Sequence, residues 1–376
     1  MKGNQIIECH DQNLKVDKIP KNYLELGNDA LREKITTARK TLGDKLYIMA
    51  HHYQKDEVVE FADVTGDSLY LSMGAAKNKN AEHIIFCGVH FMAETADILS
   101  EDWQNVYLPD ENAGCSMADM ANLGDLQIAW EKLLSKFGAT ILPLTYVNST
   151  AQIKAFVGEN GGACITSTNA KTVVKWALEQ NKKVLFLPDQ HLGRNTAYEL
   201  GVVLDKMAVW DYKKQELVPQ NAEVAPEIIL WDGYCSVHQQ FNLNNIERMR
   251  VENPTAQILV HPECSFEVVQ NADLSGSTNK IIETVADAPR GSVFAIGTDN
   301  NLVGRLRQKY ESEKEIHFLN FYSCSCATMN RIHLPHLAWN LDNVLDNNHQ
   351  QKIEVDKKTA TSALRSLEKM FEIMRS

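Results

Sequence analysis

Short apolar runs alternate with longer amphipathic stretches along the chain. KLYIMAH (45–51), HIIFCGV (83–89), ATILPLTYV (139–147), KVLFLPD (183–189), EIILWDG (227–233), QILVHPE (257–263), SVFAIGT (292–298) and IHFLN (316–320) predict strands, with 160–166 a weaker candidate. LREKITTARKTLG and LGDLQIAWEKLLSKFG carry the helical period between them, and Gly43 and Gly138 stand where an αL C-cap belongs. Apolar strands separated by amphipathic helices predict an α/β protein with parallel sheets covered on both faces. The alternation breaks into segments 30–125 (after an N-terminal extension, 1–29), 126–245 and 246–340, ending in the cysteine loops AGCSMADM, GYCSVH and SCSCATM. No strict sequence repeat accompanies this layout. In the tail, 341–376, Leu364, Leu367, Phe371 and Met374 predict a helix docked on the body.

Ligands of open parallel sheets gather beyond the carboxyl ends of the strands. The polar residues fall at those ends: His51 to Gln54, Tyr146 to Ser149, Asp189 to His191, His238, and His261 to Glu263. Gly66-Asp67-Ser68, Thr166-Ser167-Thr168 and Gly276-Ser277-Thr278 follow the same logic. Together they predict a shared polar site.

The 376 residues suggest two or three domains, and 44% apolar content supplies ample core. A balance of 49 acidic against 38 basic side chains gives a formal charge of −11. That argues against nucleic-acid or anionic-membrane binding but leaves room for a small anionic substrate in a local pocket. The N-terminus lacks an apolar h-region, and no run approaches the ~18 apolar residues of a membrane span. A cytoplasmic, reducing setting is therefore expected, in which eight cysteines point to metal, cluster or buried thiol rather than a disulfide framework.

No cysteine pair has zinc-finger spacing; the closest, Cys324 and Cys326, has one residue between. Cys115, Cys235 and one of Cys324 and Cys326 lie on loops that can converge. Three thiolates suit an iron–sulfur cluster whose fourth iron, left open, serves as a Lewis acid. The same positions also suit small buried hydrophobes, the reading preferred for Cys87 and Cys164; Cys9 is incidental. His51 with Tyr53 and His261 with Glu263 share a strand face at i, i+2 and are acid–base candidates. The Ser/Thr clusters fit helix N-caps and anion sites equally. No Walker A loop, G-x-G-x-x-G or G-x-S-x-G is present.

AHHYQKDEVVEFADVTGDSLYLS, VHFMAETADIL, NAGCSMADM, LTYVNST, DGYCSVH, VHPEC and GSTNKII, in this order from residue 50 to about 282, resemble the quinolinate synthase family. AIGTDNNLVGRL and CATMNRIHLPHL are similar to its longer variants, so the resemblance covers about three-quarters of the chain. It implies three similar three-layer αβα domains around a pseudo-threefold axis, with the active site and one [4Fe–4S] cluster per chain at the centre. It implies condensation of iminoaspartate with dihydroxyacetone phosphate to quinolinate, with loss of phosphate and water, in NAD biosynthesis. An L-aspartate oxidase or dehydrogenase is the implied supplier of iminoaspartate. The implied cluster ligands are Cys115, Cys235 and Cys326, the last preferred over Cys324 because Met329 follows a two-residue gap. His51, Ser68, Asn148, Ser167, Ser277 and Thr278 are implied to hold substrate oxygens. Tyr53, Tyr146, His261 and Glu263 are the implied acid–base groups, the last three also contacting substrate. Cys264 and Cys324, not needed as ligands, are a candidate reversible disulfide.

Overall fold

A computed structural model describes residues 19–180, 182–320 and 325–375. Cys9 and Cys324, and with the latter the candidate disulfide, lie outside the described residues. The strands are β1 (Leu46–His51), β2 (Val64–Gly66), β3 (His83–Cys87), β4 (Asn105–Tyr107), β5 (Ile141–Tyr146), β6 (Ala163–Ile165), β7 (Lys183–Leu187), β8 (Met207–Asp211), β9 (Glu216–Pro219), β10 (Ile228–Trp231), β11 (Gln257–Val260), β12 (Leu274–Ser275), β13 (Val293–Gly297), β14 (Glu315–Phe318) and β15 (Lys352–Ile353). They form three sheets, ordered β15-β4-β3-β1-β2, β6-β5-β7-β10-β8-β9 and β12-β11-β13-β14. Within each, four parallel strands repeat one order: β2-β1-β3-β4, β6-β5-β7-β10 and β12-β11-β13-β14. Among the described residues, antiparallel pairing enters only through β15 on β4 and β9 on β8. The α/β fold with covered parallel sheets is thus the one the alternation predicts.

The chain forms two compact units. The first comprises residues 19–115, 299–308 and 325–355 and holds the first sheet; the second comprises 116–298, 309–320 and 356–375 and holds the other two. Helix Asn28–Leu42 turns Leu31, Ile35 and Ala38 inward at helical spacing, and β1 contributes fully buried Ile48, Met49 and Ala50. In the second unit Leu126, Ala129 and Leu133 of helix Leu123–Phe137 pack with Leu185, Ile229 and Trp231. Ile246 and Met249 do the same for Ile258 and Val260 of the third sheet.

The first and third sheets are pinned alike. Asp63 Oδ2 accepts the Ile48 N–H and Asp273 Oδ2 the Ile258 N–H, each at 2.7 Å. Arg39 and Arg250 pair with these carboxylates at 2.5 and 2.8 Å.

Three expectations need correction. Gly43 and Gly138 have positive φ, +53° and +64°, but ψ of −131° and −159° lies outside αL; each opens a three-residue 3₁₀ helix, Gly43–Lys45 or Gly138–Thr140, that leads into β1 or β5. The short strands β2, β4, β12 and β15, with the β8–β9 hairpin, were not anticipated. The C-terminal helix, Lys357–Ile373, docks as predicted, on helix Ala151–Glu159 and β6, but its buried face is rotated from the predicted stripe and shares only Leu367 with it. It buries Ala363, Ser366, Leu367, Met370 and Ile373, while Leu364 and Phe371 are half-buried and Met374 is exposed. The contact selects small residues: a Cβ on Gly158 would lie 2.2 Å from the Ser362 carbonyl oxygen. Among the described residues no helix is long and apolar enough to cross a membrane.

Candidate functional site

In the first unit β1 ends at His51, and the chain turns at once. His51 Nδ1 accepts the Tyr53 N–H at 3.1 Å, and the two rings meet edge to face at 4.7 Å. Their contact therefore comes from a turn, not from strand alternation as the i, i+2 argument expected. Helix Asn300–Lys309 holds this turn from below. Arg305 donates to the carbonyls of His52 (2.9 Å) and Gln54 (2.6 Å) and pairs with Asp56 at 2.6 Å. Asn301 Nδ2 donates to the Tyr53 carbonyl at 2.8 Å. Ser68 is buried at the start of helix Ser68–Lys77, where Asp67 rather than a serine supplies the cap by accepting the Tyr70 N–H.

Two of the three candidate cluster thiols belong to this unit. Cys115 closes a loop in which the Ala113 carbonyl accepts the His90 N–H. Asp110 of the same loop forms a buried 2.5 Å ion pair with Arg331, five residues beyond Cys326. Cys326 is half-buried, and its backbone N–H donates to Asp299 Oδ2 at 2.8 Å. Burial raises the Cys326 thiol above the ordinary value, the Asp299 charge adds to this, and the Thr328 hydroxyl opposes it.

The second unit gathers a denser polar cluster at the ends of β5, β10 and β11. Glu263, only 3% exposed, contacts His238 Nδ1 through Oε2 at 2.7 Å and lies 3.9 Å from His261 Nδ1. The His238 and His261 rings stack at 4.5 Å, and His238 Nε2 meets the Thr298 hydroxyl at 3.1 Å. Burial works against the Glu263 charge, but His261, His238 and hydrogen bonds from His238 and Tyr146 outweigh it and hold the carboxyl well below the usual range. Burial lowers His261 to about 3, opposed by Glu263 and reinforced by His238, so its imidazole is neutral. Here too the turn replaces strand alternation: β11 ends at Val260, and the Glu263 N–H donates to His261 Nδ1 at 3.4 Å.

Cys235 stands beside this cluster. One ligand atom each from Cys235, His238 and Glu263 lies within 4.8 Å of the others, close enough for one metal ion with mixed donors. Asp189, fully buried, faces the backbone N–H groups of Leu192, His191 and Cys235; burial first and Glu263 second push its carboxyl well above the usual value.

Ser167 and Ser277 line a cleft of about 370 Å³ with Thr168, Asn195 and the rim lysines Lys171 and Lys280. Ser277 also caps helix Thr278–Asp287, accepting the Lys280 N–H, so the capping role and the cleft position coincide. Thr278 is buried as the first residue of that helix. Asn148 Oδ1 is buried without a hydrogen-bond partner among the described residues.

Sequence reasoning placed His238 and Asp189 at strand ends without assigning them roles, and it passed over Asp299, Asn301 and Arg305. Cys235-x-x-His238 spacing was the available signal for the first; the others act through tertiary contacts that no local pattern announces. Cys87 and Cys164 are fully buried, as their apolar setting predicted, and burial pushes Cys87 up to about 12. Cys264 is also fully buried, its thiol held well above the ordinary value by burial and the Glu263 charge.

The family model described as NadA, quinolinate synthetase A protein, matches residues 33–372. A quinolinate synthase of Anoxybacillus flavithermus is 55% identical over 355 residues, covering 94% of this chain and 96% of the relative. The Staphylococcus carnosus quinolinate synthase is 54% identical over 361 residues, covering 96% and 98%. That of Bacillus subtilis is 53% identical over 357 residues, covering 95% and 97%. With a family model matching nearly the whole chain and relatives more than half identical over nearly their full length, the chain belongs to the quinolinate synthetase A family.

Proposed function

We propose that the chain is a transferase that condenses iminoaspartate with dihydroxyacetone phosphate to give quinolinate, phosphate and water in NAD biosynthesis. The carrying observation is a buried, ionised Glu263 bonded to Tyr146 and His238 in a family member whose cleft is lined by serines. Ser167 and Ser277 offer hydroxyls, and Thr278 begins a helix whose free N–H groups and dipole favour an anion. With Ser68, His51 and Asn148 they are assigned to the carboxylate and phosphate oxygens. The orphaned Asn148 Oδ1 fits a substrate N–H or O–H donor.

Glu263 takes the proton from a carbon next to a carbonyl. Two donors keep it charged, and its basicity rises when the Tyr146 hydroxyl turns to the substrate oxygen and leaves one donor behind. Tyr146 then supplies the proton that oxygen needs. His261, neutral and stacked on His238, donates or accepts in the dehydration steps, and Tyr53, set against His51, is assigned the same role.

Cys115, Cys235 and Cys326 are proposed as the holders of a [4Fe–4S] cluster. All three are half-buried thiols on loops, a soft donor set that fits iron and sulfide. Such a cluster supplies, when bound, an iron with an open position that acts as a Lewis acid. The three repeated sheets support, in the same reading, three αβα domains at 30–125, 126–245 and 246–340 about a pseudo-threefold axis. We place the enzyme in the cytoplasm, with an L-aspartate oxidase or dehydrogenase supplying iminoaspartate.

Iron and acid-labile sulfide, measured on air-free protein and on Cys115→Ala, Cys235→Ala and Cys326→Ala, test the assignment. About four of each per chain are expected in the wild type, with loss in every variant and quinolinate formation following the cluster. The Cys235, His238 and Glu263 geometry favours a second reading, a mixed-donor divalent ion. One zinc and no iron, lost in Cys235→Ala but retained in Cys115→Ala, would establish it and overturn the first.

A further inference from the structure

We infer that Asp299 is a positioning residue that ties the Cys326 loop to the Tyr53 turn through Asn301; this rests on the cluster assignment above. Asp299 is fully buried at the start of helix Asn300–Lys309, and its two carboxylate oxygens bind different segments. Oδ1 accepts the Asn301 N–H at 2.9 Å, capping the helix, while Oδ2 accepts the Cys326 N–H at 2.8 Å. Asn301 in turn donates through Nδ2 to the Tyr53 carbonyl at 2.8 Å and to Asn330 Oδ1 at 2.7 Å, and the Ser325 hydroxyl donates to Asn301 Oδ1 at 3.4 Å. One helix start thus grips the backbone of a cluster thiol on one side and of an acid–base tyrosine on the other. A shift of either loop must pass through two short side chains whose polar ends are all hydrogen-bonded.

The internal repeat supports the assignment. Asp299 stands two residues beyond β13. At the matching place two residues beyond β7, Asp189 caps the ten-residue helix Gln190–Glu199 and has the Cys235 N–H turned toward its carboxylate. Beyond β3 the matching residue is Val89, which caps helix His90–Leu99 without any acceptor. The carboxylate recurs at two of the three thiols, so capping alone does not require it. The two carboxylates connect onward through different residues. His191, two residues past Asp189, bonds Gln239 Oε1 at 2.9 Å, and the Gln239 N–H returns to the Cys235 carbonyl at 3.0 Å. That arrangement closes on the cysteine's own loop. From the Asp299 helix Asn301, two residues on, carries the grip outward to an acid–base turn; from the Asp189 helix Asn195 does so, donating to the Pro262 and Cys264 carbonyls at 2.9 Å each.

The test compares wild type, Asp299→Asn, Asn301→Ala and the double variant as full-length chain, loaded with cluster without air and also cluster-free. Asp299→Asn preserves volume but sets an NH₂ against one of two N–H donors. It is expected to speed iron release to a ferrous chelator about tenfold, and alkylation of Cys326 in the cluster-free chain about tenfold, with Cys115 unchanged. The electron paramagnetic resonance signal of the reduced cluster should shift. Asn301→Ala should lower kcat about tenfold with KM held, because the Tyr53 turn is released, and should speed iron release less than Asp299→Asn does, because it loses the Asn330 and Ser325 contacts but keeps the Asp299 bond to the Cys326 N–H. The double variant should have a kcat within about twofold of Asp299→Asn, since both act on one link.

Iron release and Cys326 alkylation unchanged in Asp299→Asn, or kcat losses that multiply in the double variant, overturn the inference. If Asp299→Asn fails to fold, Asn301→Asp decides, since it keeps the volume and removes the donor to Tyr53; a wild-type kcat there overturns the link. A wild-type chain that takes up no iron and sulfide fails the cluster assignment instead, and Cys326 alkylation in the cluster-free variants still reads the Asp299 contact.

Discussion

Truncating His238 to alanine isolates what keeps Glu263 charged. Glu263 is 3% exposed, and its direct partners are His238 at 2.7 Å and the Tyr146 hydroxyl, with His261 farther off at 3.9 Å and neutral. Removing His238 leaves a buried carboxylate with one direct donor, a loss of about 3 kcal/mol, the low end for an orphaned buried charge. The Thr298 hydroxyl loses its partner for about 1 kcal/mol more, and the vacated ring space adds about 1 kcal/mol. Glu263→Gln keeps the shape and turns two charge-assisted bonds into neutral ones, costing about 2 kcal/mol. In the double variant there is no charge to orphan, so the total falls to about 4 kcal/mol and the coupling is about 3 kcal/mol.

Urea unfolding of cluster-free, reduced chain at pH 7.5 measures the cycle. Acid limbs supply a second reading. A carboxyl whose folded pKa lies below its unfolded value of 4.5 stabilises fully above that value and loses its contribution as pH falls beneath it. His238→Ala, which removes a cause of the lowering, should show a smaller total loss, starting at the same pH but ending at a higher pH than in wild type. Additivity of the two single changes to within about 0.5 kcal/mol, with superimposable acid limbs, refutes the claim that His238 sustains the Glu263 charge.

Burial and packing lead to two more expected outcomes. The imidazole C–H shifts of His261 and His191, whose pKa values burial lowers to about 3 and about 4, should stay flat from about pH 8 down to 5. Because the unfolded chain binds protons there that the folded chain refuses, these residues make stability fall as pH drops below 6.5; a midpoint near 6.5 in either signal contradicts the burial argument. Gly158→Ala should cost about 2 kcal/mol or more by driving a methyl into the Ser362 carbonyl, and limited proteolysis should then cut before the C-terminal helix; wild-type resistance to cleavage would show that the helix docks without that close approach.

The local pattern announced much of this fold because parallel sheets make their strands apolar throughout and send polar residues to one end. All eight apolar runs contain strands, and the weak run at 160–166 contains β6. The unannounced strands are mostly too short for any period: β12 and β15 have two residues each, and β2 and β4 three, so pairing with a neighbour defines them. The tail stripe predicted the docked helix but only part of its face, since of its four residues only Leu367 is fully buried. Hydrophobicity marked Leu364, Phe371 and Met374, but close helix packing at Gly158 rewards Ala363 and Ser366, which carry little hydrophobic signal.

At the candidate site, side chains of distinctive chemistry were legible and their supports were not. His51 with Tyr53 and His261 with Glu263 do meet, yet through a turn in which the histidine Nδ1 accepts the N–H two residues on. That turn orients the ring from its own backbone and leaves Nε2 to carry the proton, which strand alternation would not have required. The supports beneath the two turns differ in kind. His238 props Glu263 from three residues past Cys235, whereas Arg305 and Asn301 reach the Tyr53 turn from about 250 positions away in sequence. Spacing can suggest the first arrangement. Only the packing of helix Asn300–Lys309 into the first unit, although it follows a strand of the third sheet, creates the second. Residues that perform chemistry are constrained by type and so leave a trace in a single sequence; residues that position them are constrained by place, and place is what folding supplies.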